Sequence, residues 1–224
     1  MAKAEFEGQK AIAAVIPDHA IEPIAWGYCE KDRSQTWFLT HFRTLDAELP
    51  DKTKLVSVIK KLHEGSVSPT GKFGFHTIPF FGPPPMVVDW SDNWEEFWTR
   101  EFRSSWAYVL RMRGENPELQ QLAEDFIEKV VPRLLRPLQT GGRNITPRLC
   151  HGDLWHGNIQ IDQATGETVL FDPCPFYGHQ EMDLQCMRGE RSTLGLGFVK
   201  RYGEEVGKSD PIDDFDDRNA LYAV

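Results

Sequence analysis

One stretch in the last third of the chain has the residue types and spacing of a phosphoryl-transfer site. It covers residues 151–158 and reads HGDLWHGN. Phosphoryl transfer from ATP needs a carboxylate that orients the attacking hydroxyl and accepts its proton, and oxygen ligands that hold magnesium on the phosphates. In protein kinases the catalytic Asp precedes a metal-binding Asn by five positions, and Asp153 precedes Asn158 by the same spacing. The stretch therefore predicts a catalytic loop with Asp153 as base and Asn158 as a metal ligand.

A second metal ligand is expected where the next strand ends. Asp172 directly follows the apolar run 168–171 and lies fourteen positions after Asn158. Two hard oxygen ligands on neighbouring strands can bridge magnesium to phosphate. An Asp in a turn or at a strand end is common by itself. The combination of the HGDLWHGN stretch, a turn and an apolar strand that ends in Asp is much rarer, so the pattern favours a kinase. His151 is expected to hold the loop by hydrogen bonds rather than to transfer protons.

The elements that position these residues can be read from apolar periodicity and capping residues. The pattern predicts an α+β chain in which a strand pair carries the chemistry. The expected elements are a helix at 2–14, strands at 21–29 and 36–43, a helix at 51–63, an ordered loop at 65–90, a helix capped by Asp92, a helix capped by Asn116 and kinked at Pro132, strands at 158–161 and 168–171, and further helices to the end.

Composition excludes several partners. A net charge of −9 argues against a nucleic-acid surface, because neutralising phosphates requires clustered Lys and Arg. The four cysteines form no CxxC pair, which fits a reducing, cytoplasmic setting. No apolar run has the length that crosses a membrane. We therefore expect neither nucleic acid nor membrane as a partner.

Longer motifs narrow the kinase class. Residues 151–158 and the run FDPCPFYGHQEMDL at 171–184 resemble the fructosamine/ribulosamine 3-kinases, which are relatives of the aminoglycoside phosphotransferases. The segments SPTGKFGF at 68–75 and DWSDNWEEFW at 89–98 are also similar to this family. The ending DDRNALY at 216–222 resembles fungal members. The resemblance covers nearly the whole chain.

The resemblance implies a protein-kinase-like fold with two lobes. Residues 1–45 would be a remnant of the N-terminal lobe, and residues 46–224 would form a mostly helical C-terminal lobe. Such enzymes use ATP and Mg²⁺ to phosphorylate the 3-hydroxyl of ketoamine sugars on glycated proteins or small amines, after which the adduct is lost. The implied function is therefore protein deglycation in the cytoplasm.

The resemblance also implies individual roles in the C-terminal lobe. Asp153 would be the catalytic residue, and Asn158 and Asp172 would hold magnesium. Trp155 would lie against the sugar ring, although packing within its own loop is nearly as good an interpretation. Asp183 would brace the catalytic loop.

In the N-terminal part, Glu5 best matches the helix Glu that pairs with a phosphate-contacting Lys, with Glu7 as the alternative. Backbone groups from Thr40 to Phe42 would bind adenine. The chain departs from the family here, since no glycine-rich loop or strand Lys precedes Glu5, and Lys3 and Lys10 lie on the helix. Both ends look clipped, so weak or absent kinase activity is expected. The alternatives are a catalytically silent fragment of this family and an aminoglycoside- or choline-type phosphotransferase.

Overall fold

Residues 1–189 and 192–224 are described by the computed structural model, and within them small sheets alternate with helices as an α+β chain requires. The helices are α1 (Ala2–Val15), α2 (Lys52–Glu64), α3 (Trp94–Arg113), α4 (Pro117–Asp125), α5 (Val131–Leu135), α6 (Gln185–Arg188), α7 (Leu196–Glu205) and α8 (Phe215–Tyr222). The strands are β1 (Pro23–Tyr28), β2 (Thr36–Thr40), β3 (Leu45–Asp46), β4 (Arg148–Cys150), β5 (Ile159–Asp162), β6 (Thr168–Leu170) and β7 (Phe176–Gly178).

Three antiparallel sheets carry the strands. β1 pairs with β2, β5 lies between β3 and β6, and β4 pairs with β7. The hairpin predicted around the catalytic residues is confirmed, with Gln160 opposite Val169 and Gly166 at a φ of +71° in its turn. The catalytic loop runs from β4 to β5. Two different sheets therefore fix its two ends.

Helix α1 joins the first hairpin to the rest of the molecule. Its Ile12 is fully buried in the main core, while its Phe6 meets Phe38 of β2 edge to face with ring centres 6.3 Å apart. The helix predicted at 2–14 is thus confirmed, and it lies between the β1–β2 hairpin and the core.

The core beneath the site is built around Trp94 at the start of α3. Its indole is fully buried, stacks on Phe97 at 5.4 Å and on Phe176 of β7 at 6.4 Å, and donates to the Tyr222 hydroxyl at 2.8 Å. Aromatic pairs of this kind stabilise beyond the area that they bury. The cluster ties α3 and α8 to the strand that pairs with β4.

One capping prediction was wrong by a residue. The side chain that caps α3 belongs to Asn93, which accepts from the Glu96 amide at 3.0 Å. Asp92, which the sequence favoured, instead pairs with Lys72 at 2.8 Å. Both residue types are good helix caps, so the sequence rule does not distinguish between them.

The helical segments near Pro117 and Pro132 can be compared with the predictions from the sequence. Asn116 caps α4 by accepting from the Leu119 amide at 3.1 Å, as predicted. The kink predicted at Pro132 takes the form of a π-helical turn over Phe126–Val130, directly before α5. A widened turn suits this place, because proline has no N–H to continue the helical bonding.

Candidate active site

The catalytic loop is held from below by one buried carboxylate. Asp183 is 1% exposed, and its two oxygens accept from the amides of His151 at 2.9 Å and Gly152 at 2.7 Å. His63 also contacts it, with Nε2 at 2.9 Å. Burial alone would raise the pKa of Asp183, but the bonds from His63 and the loop outweigh burial and lower the pKa below its usual value. The bracing role predicted for Asp183 is confirmed by these contacts.

Gly152 is required where the loop meets the segment after β6. Its φ is +81°, and a Cβ there would lie 1.9 Å from the carbonyl oxygen of Cys174. The amide of Cys174 donates to the His151 carbonyl at 2.8 Å. Only glycine allows this approach, which brings the two polar segments of the site side by side.

His151 holds the loop, as the sequence predicted. Its Nε2 lies 3.1 Å from the Phe171 carbonyl, and its Nδ1 accepts from the Asp153 amide at 3.3 Å. Burial is the main reason why the pKa of His151 is lowered from its usual value. The ring is therefore neutral at physiological pH, and its nitrogens are used in structural contacts.

Asn158 links the two candidate aspartates. Its Nδ2 donates to the Asp153 carboxylate at 2.9 Å, to the Asp153 carbonyl at 3.0 Å and to the Asp172 carbonyl at 3.3 Å. The amide oxygen of Asn158 takes part in none of these bonds. The three residues predicted from their spacing are thus brought together at the end of the β5–β6 hairpin.

The environment of Asp153 makes it a stronger base than an exposed aspartate. Burial, as the main cause, raises its pKa to about 6, although hydrogen bonds from Asn158 and Cys186 act in the opposite direction. The Cys186 thiol lies 3.7 Å from the other carboxylate oxygen. A base whose pKa is near the working pH is the most effective in general base catalysis. Sequence reasoning missed Cys186, because nothing in its local pattern marks a contact with Asp153.

Asp172 and Glu5 complete an acidic cavity in front of Asp153. Asp172 has a φ of +56°, which is strained for a residue with a side chain. Glu5 of α1 lies beside it, and burial, followed by the charge and hydrogen bonding of Asp172, raises the pKa of Glu5. All three carboxyl groups line a cavity of about 220 Å³, and no Lys or Arg side chain lines it within the described residues.

A neighbouring cavity of about 200 Å³ shares Glu5 and Asp172 with the acidic cavity. Thr40 of β2 lines it, as do the rings of Phe38 and Phe171. Phe42, in contrast, is 91% exposed, and the His41 amide beside it donates to the Glu22 carbonyl at 3.0 Å. The structure brings Thr40 to the site but leaves the Phe42 side chain in solvent.

Trp155 lies at the edge of the loop. Its ring is 42% exposed and covers Gly157, where a Cβ would lie 2.4 Å from the indole, and it meets the His156 ring at 4.8 Å. It is not among the residues that line the acidic cavity. The indole thus packs on its own loop and keeps part of its surface exposed.

Within the described residues, no ion pair joins Glu5 to a basic side chain. Lys3 lies 6.0 Å from the ring centre of Trp26, and Lys10 lies 5.8 Å from that of Phe6. Neither lysine therefore takes the place of a phosphate-contacting strand Lys, as expected.

A different group of potential metal ligands is already used in structural bonding. His63, Cys150 and Asp183 bring three ligand atoms within 4.8 Å of one another, and all three residues are buried. The Asp183 carboxylate is, however, occupied by His63 and two loop amides. The magnesium ligands expected at Asn158 and Asp172 stay a prediction from the sequence.

In the described part of the chain, no helix combines the length and apolarity that a membrane span needs.

The β5–β6 hairpin, with Asp153, Asn158 and Asp172 at its end and a mainly helical C-terminal part, defines a protein-kinase-like fold. The family model described as "Fructosamine kinase" matches residues 1–224, and the chain belongs to this family. It is 32% identical to mouse ketosamine-3-kinase over 154 residues, which are 68% of this chain and 46% of that protein. It is 25% identical to the chloroplastic protein-ribulosamine 3-kinase of japonica rice over 223 residues, covering 98% of this chain and 61% of that protein.

Solved structures agree with this fold. A Thermobifida fusca protein assigned as a fructosamine-3-kinase superposes with a TM-score of 0.74 at 21% identity, covering 98% of this chain and 69% of that one. The GDP complex of an aminoglycoside 2'-phosphotransferase superposes with a TM-score of 0.54 at 13% identity, covering 98% and 71%. The chain spans about half to three fifths of the length of the two curated relatives described above.

Proposed function

We propose that this chain uses Mg·ATP to phosphorylate the 3-hydroxyl of a ketoamine sugar, on a glycated protein or on a small amine. The observation that carries the proposal is the joint placement of Asp153, Asn158 and Asp172, linked through one side-chain amide at the end of a hairpin. Relatives named ketosamine-3-kinase and protein-ribulosamine 3-kinase support the choice of acceptor.

Asp153 is proposed to orient the acceptor hydroxyl and take its proton. Its raised pKa, about 6, gives the carboxylate more basicity than an exposed aspartate while leaving it ionised at neutral pH. The bond from Asn158 at 2.9 Å fixes one carboxylate oxygen. The other oxygen faces the Cys186 thiol, a weak donor, and is the better placed to accept a proton.

A divalent cation fits the acidic cavity. Three carboxyl groups line it within the described residues, against one positive group, the α-ammonium group of Met1, so the excess of negative groups favours a cation. The Asp172 carboxylate and the Asn158 amide oxygen would hold magnesium, whose preferred ligands are oxygens. Magnesium would neutralise charge on the phosphates during transfer.

The nucleotide is proposed to lie across the neighbouring cavity. Phe38, Phe171 and Thr40 would contact the base, with backbone groups up to Phe42 as further partners, while Glu5 would lie towards the phosphates. Trp155 is proposed to lie against the sugar, because its ring is 42% exposed next to the loop. A role in protein deglycation follows if the acceptor is carried by a protein.

A cytoplasmic location is also part of the proposal. Cys29, Cys150, Cys174 and Cys186 are all free thiols. Unpaired cysteines are typical of reducing compartments.

Acceptor selectivity tests the proposal. The purified chain is incubated with Mg·ATP and one of three acceptors, namely fructosyl-lysine, kanamycin or choline, and ADP is measured. We expect ADP formation above background with fructosyl-lysine alone, lowered by about 10²–10⁴-fold in Asp153→Asn. Turnover with kanamycin or choline instead would place the chain among the aminoglycoside- or choline-type phosphotransferases. An equal rate in Asp153→Asn would contradict the proposed base.

A further inference from the structure

A larger and more apolar cavity lies on the other side of the catalytic loop. Its volume is about 390 Å³, within the usual range for small-molecule sites. We call it the helix-side cavity, because α3 forms much of its wall. The lining residues that matter here are Met86, Trp98, Glu101, Phe102, Tyr108 and Gly152.

The helix-side cavity adjoins the catalytic loop next to Asp153. Gly152 lines it and is bonded to Asp153, and Gln185, which also lines it, donates to the Gly152 carbonyl at 3.0 Å. Residues of the segment 79–86 form part of the wall of both the helix-side cavity and the acidic cavity. In this wall, Met86 faces the helix-side cavity and lies 3.0 Å from the Cys174 sulfur, which lines the acidic cavity.

One carboxylate, that of Glu101, lies in the mainly apolar wall of the helix-side cavity. Glu101 accepts from the Val87 amide and from the Ser105 hydroxyl at 2.9 Å. The neighbouring Arg100 turns its guanidinium to the Asp89 carbonyl. Within the described residues, no ion pair joins Glu101 to a Lys or Arg side chain.

Such a carboxylate is suited to a cationic ligand. Burial raises the pKa of Glu101, and the hydrogen bonds from the Val87 amide and the Ser105 hydroxyl, together with the charge of Arg100, offset only part of this effect. An ammonium group that entered the cavity would supply charge-assisted hydrogen bonds to it. Phosphate groups, in contrast, would be repelled, so the cavity does not suit the nucleotide.

We propose that the helix-side cavity binds the amine-bearing substituent of the ketoamine, with Glu101 receiving the substrate ammonium and the apolar wall receiving a ring-sized apolar group. This inference rests on the proposed function, because it takes the sugar hydroxyl to lie at Asp153. In a ketoamine, the nitrogen is attached to C1, two carbon atoms from the C3 that carries the reacting hydroxyl. A sugar held at Asp153 would then direct its nitrogen along Gly152, the residue next to Asp153 that lines the cavity.

The proposal predicts selectivity among substituents. Fructosyl-benzylamine offers both an ammonium and an apolar ring. Fructosylglycine places a carboxylate where the wall is apolar and Glu101 is negative. The ether 1-O-benzylfructose keeps the ring but has no ammonium. We expect affinity to fall in the order benzylamine adduct, benzyl ether, glycine adduct, by about tenfold at each step.

The test is direct binding without ATP, measured by calorimetry and by saturation-transfer NMR on the benzyl protons. Glu101→Gln keeps an acceptor for the Val87 amide and a partner for Ser105, and should weaken the benzylamine adduct by about tenfold while leaving the ether unchanged. Glu96→Gln, an exposed position on the same helix, is its control.

A second pair of variants tests the cavity itself. Val109 lines the wall and is 38% exposed, so Val109→Trp should fill the cavity without disturbing the core and weaken both benzyl ligands by about tenfold. Met112→Trp is its control, because Met112 is 67% exposed on the same helix. Equal binding of the benzyl ligands to Val109→Trp and Met112→Trp would overturn the proposal. Equal binding of the benzylamine adduct to Glu101→Gln and Glu96→Gln would also overturn it.

The experiments distinguish failure of the kinase proposal from failure of the proposal for the helix-side cavity. If the binding pattern holds but no phosphate is transferred, the kinase proposal falls and the subsite stands. If fructosyl-lysine is phosphorylated while the benzyl ligands bind without regard to Val109 and Glu101, the subsite falls and the kinase proposal stands.

Discussion

Replacing the proposed base should make the fold more stable while it abolishes turnover. Burial raises the pKa of Asp153 from 3.8 to about 6, so the folded chain holds a proton there more tightly than the unfolded chain does. The free energy of unfolding therefore falls as the pH rises from about 4 to above 6. At neutral pH the ionised Asp153 destabilises the fold, and Asp153→Asn removes this penalty.

The size of this stabilisation follows from the difference between the pKa of Asp153 in the folded chain and in the unfolded chain. A pKa raised from 3.8 to about 6 corresponds to about 3 kcal/mol if it is expressed in full. Asp153 is only partly buried, so solvent screening reduces this to about 1 kcal/mol. Asparagine keeps the shape of the side chain and an acceptor for Asn158. For a chain of this size the gain corresponds to a rise of about 2–4 °C in Tm.

The assay is urea unfolding, followed by fluorescence at pH 7.5 and at pH 5. Asp153→Asn should raise the free energy of unfolding by about 1 kcal/mol at pH 7.5 and by about half as much at pH 5. Asp213→Asn makes the same chemical change at an exposed position and should have little effect at either pH. A variant no more stable than the parent at pH 7.5, or a gain that does not depend on pH, would refute the burial of Asp153 as its controlling feature.

The remaining predictions concern residues around Asp153. Asn158→Ala or Asp172→Ala should weaken Mg·ATP binding more than ketoamine binding in calorimetry, since each removes a proposed oxygen ligand; equal losses would mean a collapsed loop. Trp155→Ala should raise KM for the ketoamine and leave that for ATP unchanged; a fall in Tm alone would mean that the ring only packs on its loop. Asp183→Asn should cost about 2–4 kcal/mol of stability in urea, because His63 and two loop amides lose a charged acceptor. Asp92→Asn, at an exposed ion pair, should cost under about 1 kcal/mol, and similar losses in both would contradict the bracing role.

The local features of the site could be predicted from sequence. Strand pairs with a turn between them and polar residues at their ends leave a short-range pattern, so the spacing of Asp153, Asn158 and Asp172 predicts that they lie together, as they do. The bounds of strands were less predictable. The strand expected over 36–43 ends at Thr40, and a further two-residue strand, Leu45–Asp46, pairs with β5 only because the fold brings them together.

Contacts between distant segments could not be predicted. The Cys186 thiol contacts Asp153 across 33 positions, and Asp92, beside the capping residue Asn93, pairs with Lys72, 20 positions away from Asp92. Glu101 lies on the stripe of a long amphipathic helix and carries no local signal of a cavity. These long-range contacts arise from tertiary packing. Hydrophobic periodicity and capping rules describe only neighbouring residues and do not predict them.

The position of the transferred phosphate tests the central claim most directly. Fructosyl-lysine labelled with ¹³C at C3 is incubated with Mg·ATP and the chain, and ³¹P–¹³C coupling in the product is measured by NMR. We predict coupling at C3, a rate that rises with pH through about 6 as Asp153 ionises, loss of product in Asp153→Asn, and retention in Asp213→Asn. Phosphate on another hydroxyl, or equal product from Asp153→Asn and Asp213→Asn, would contradict the account.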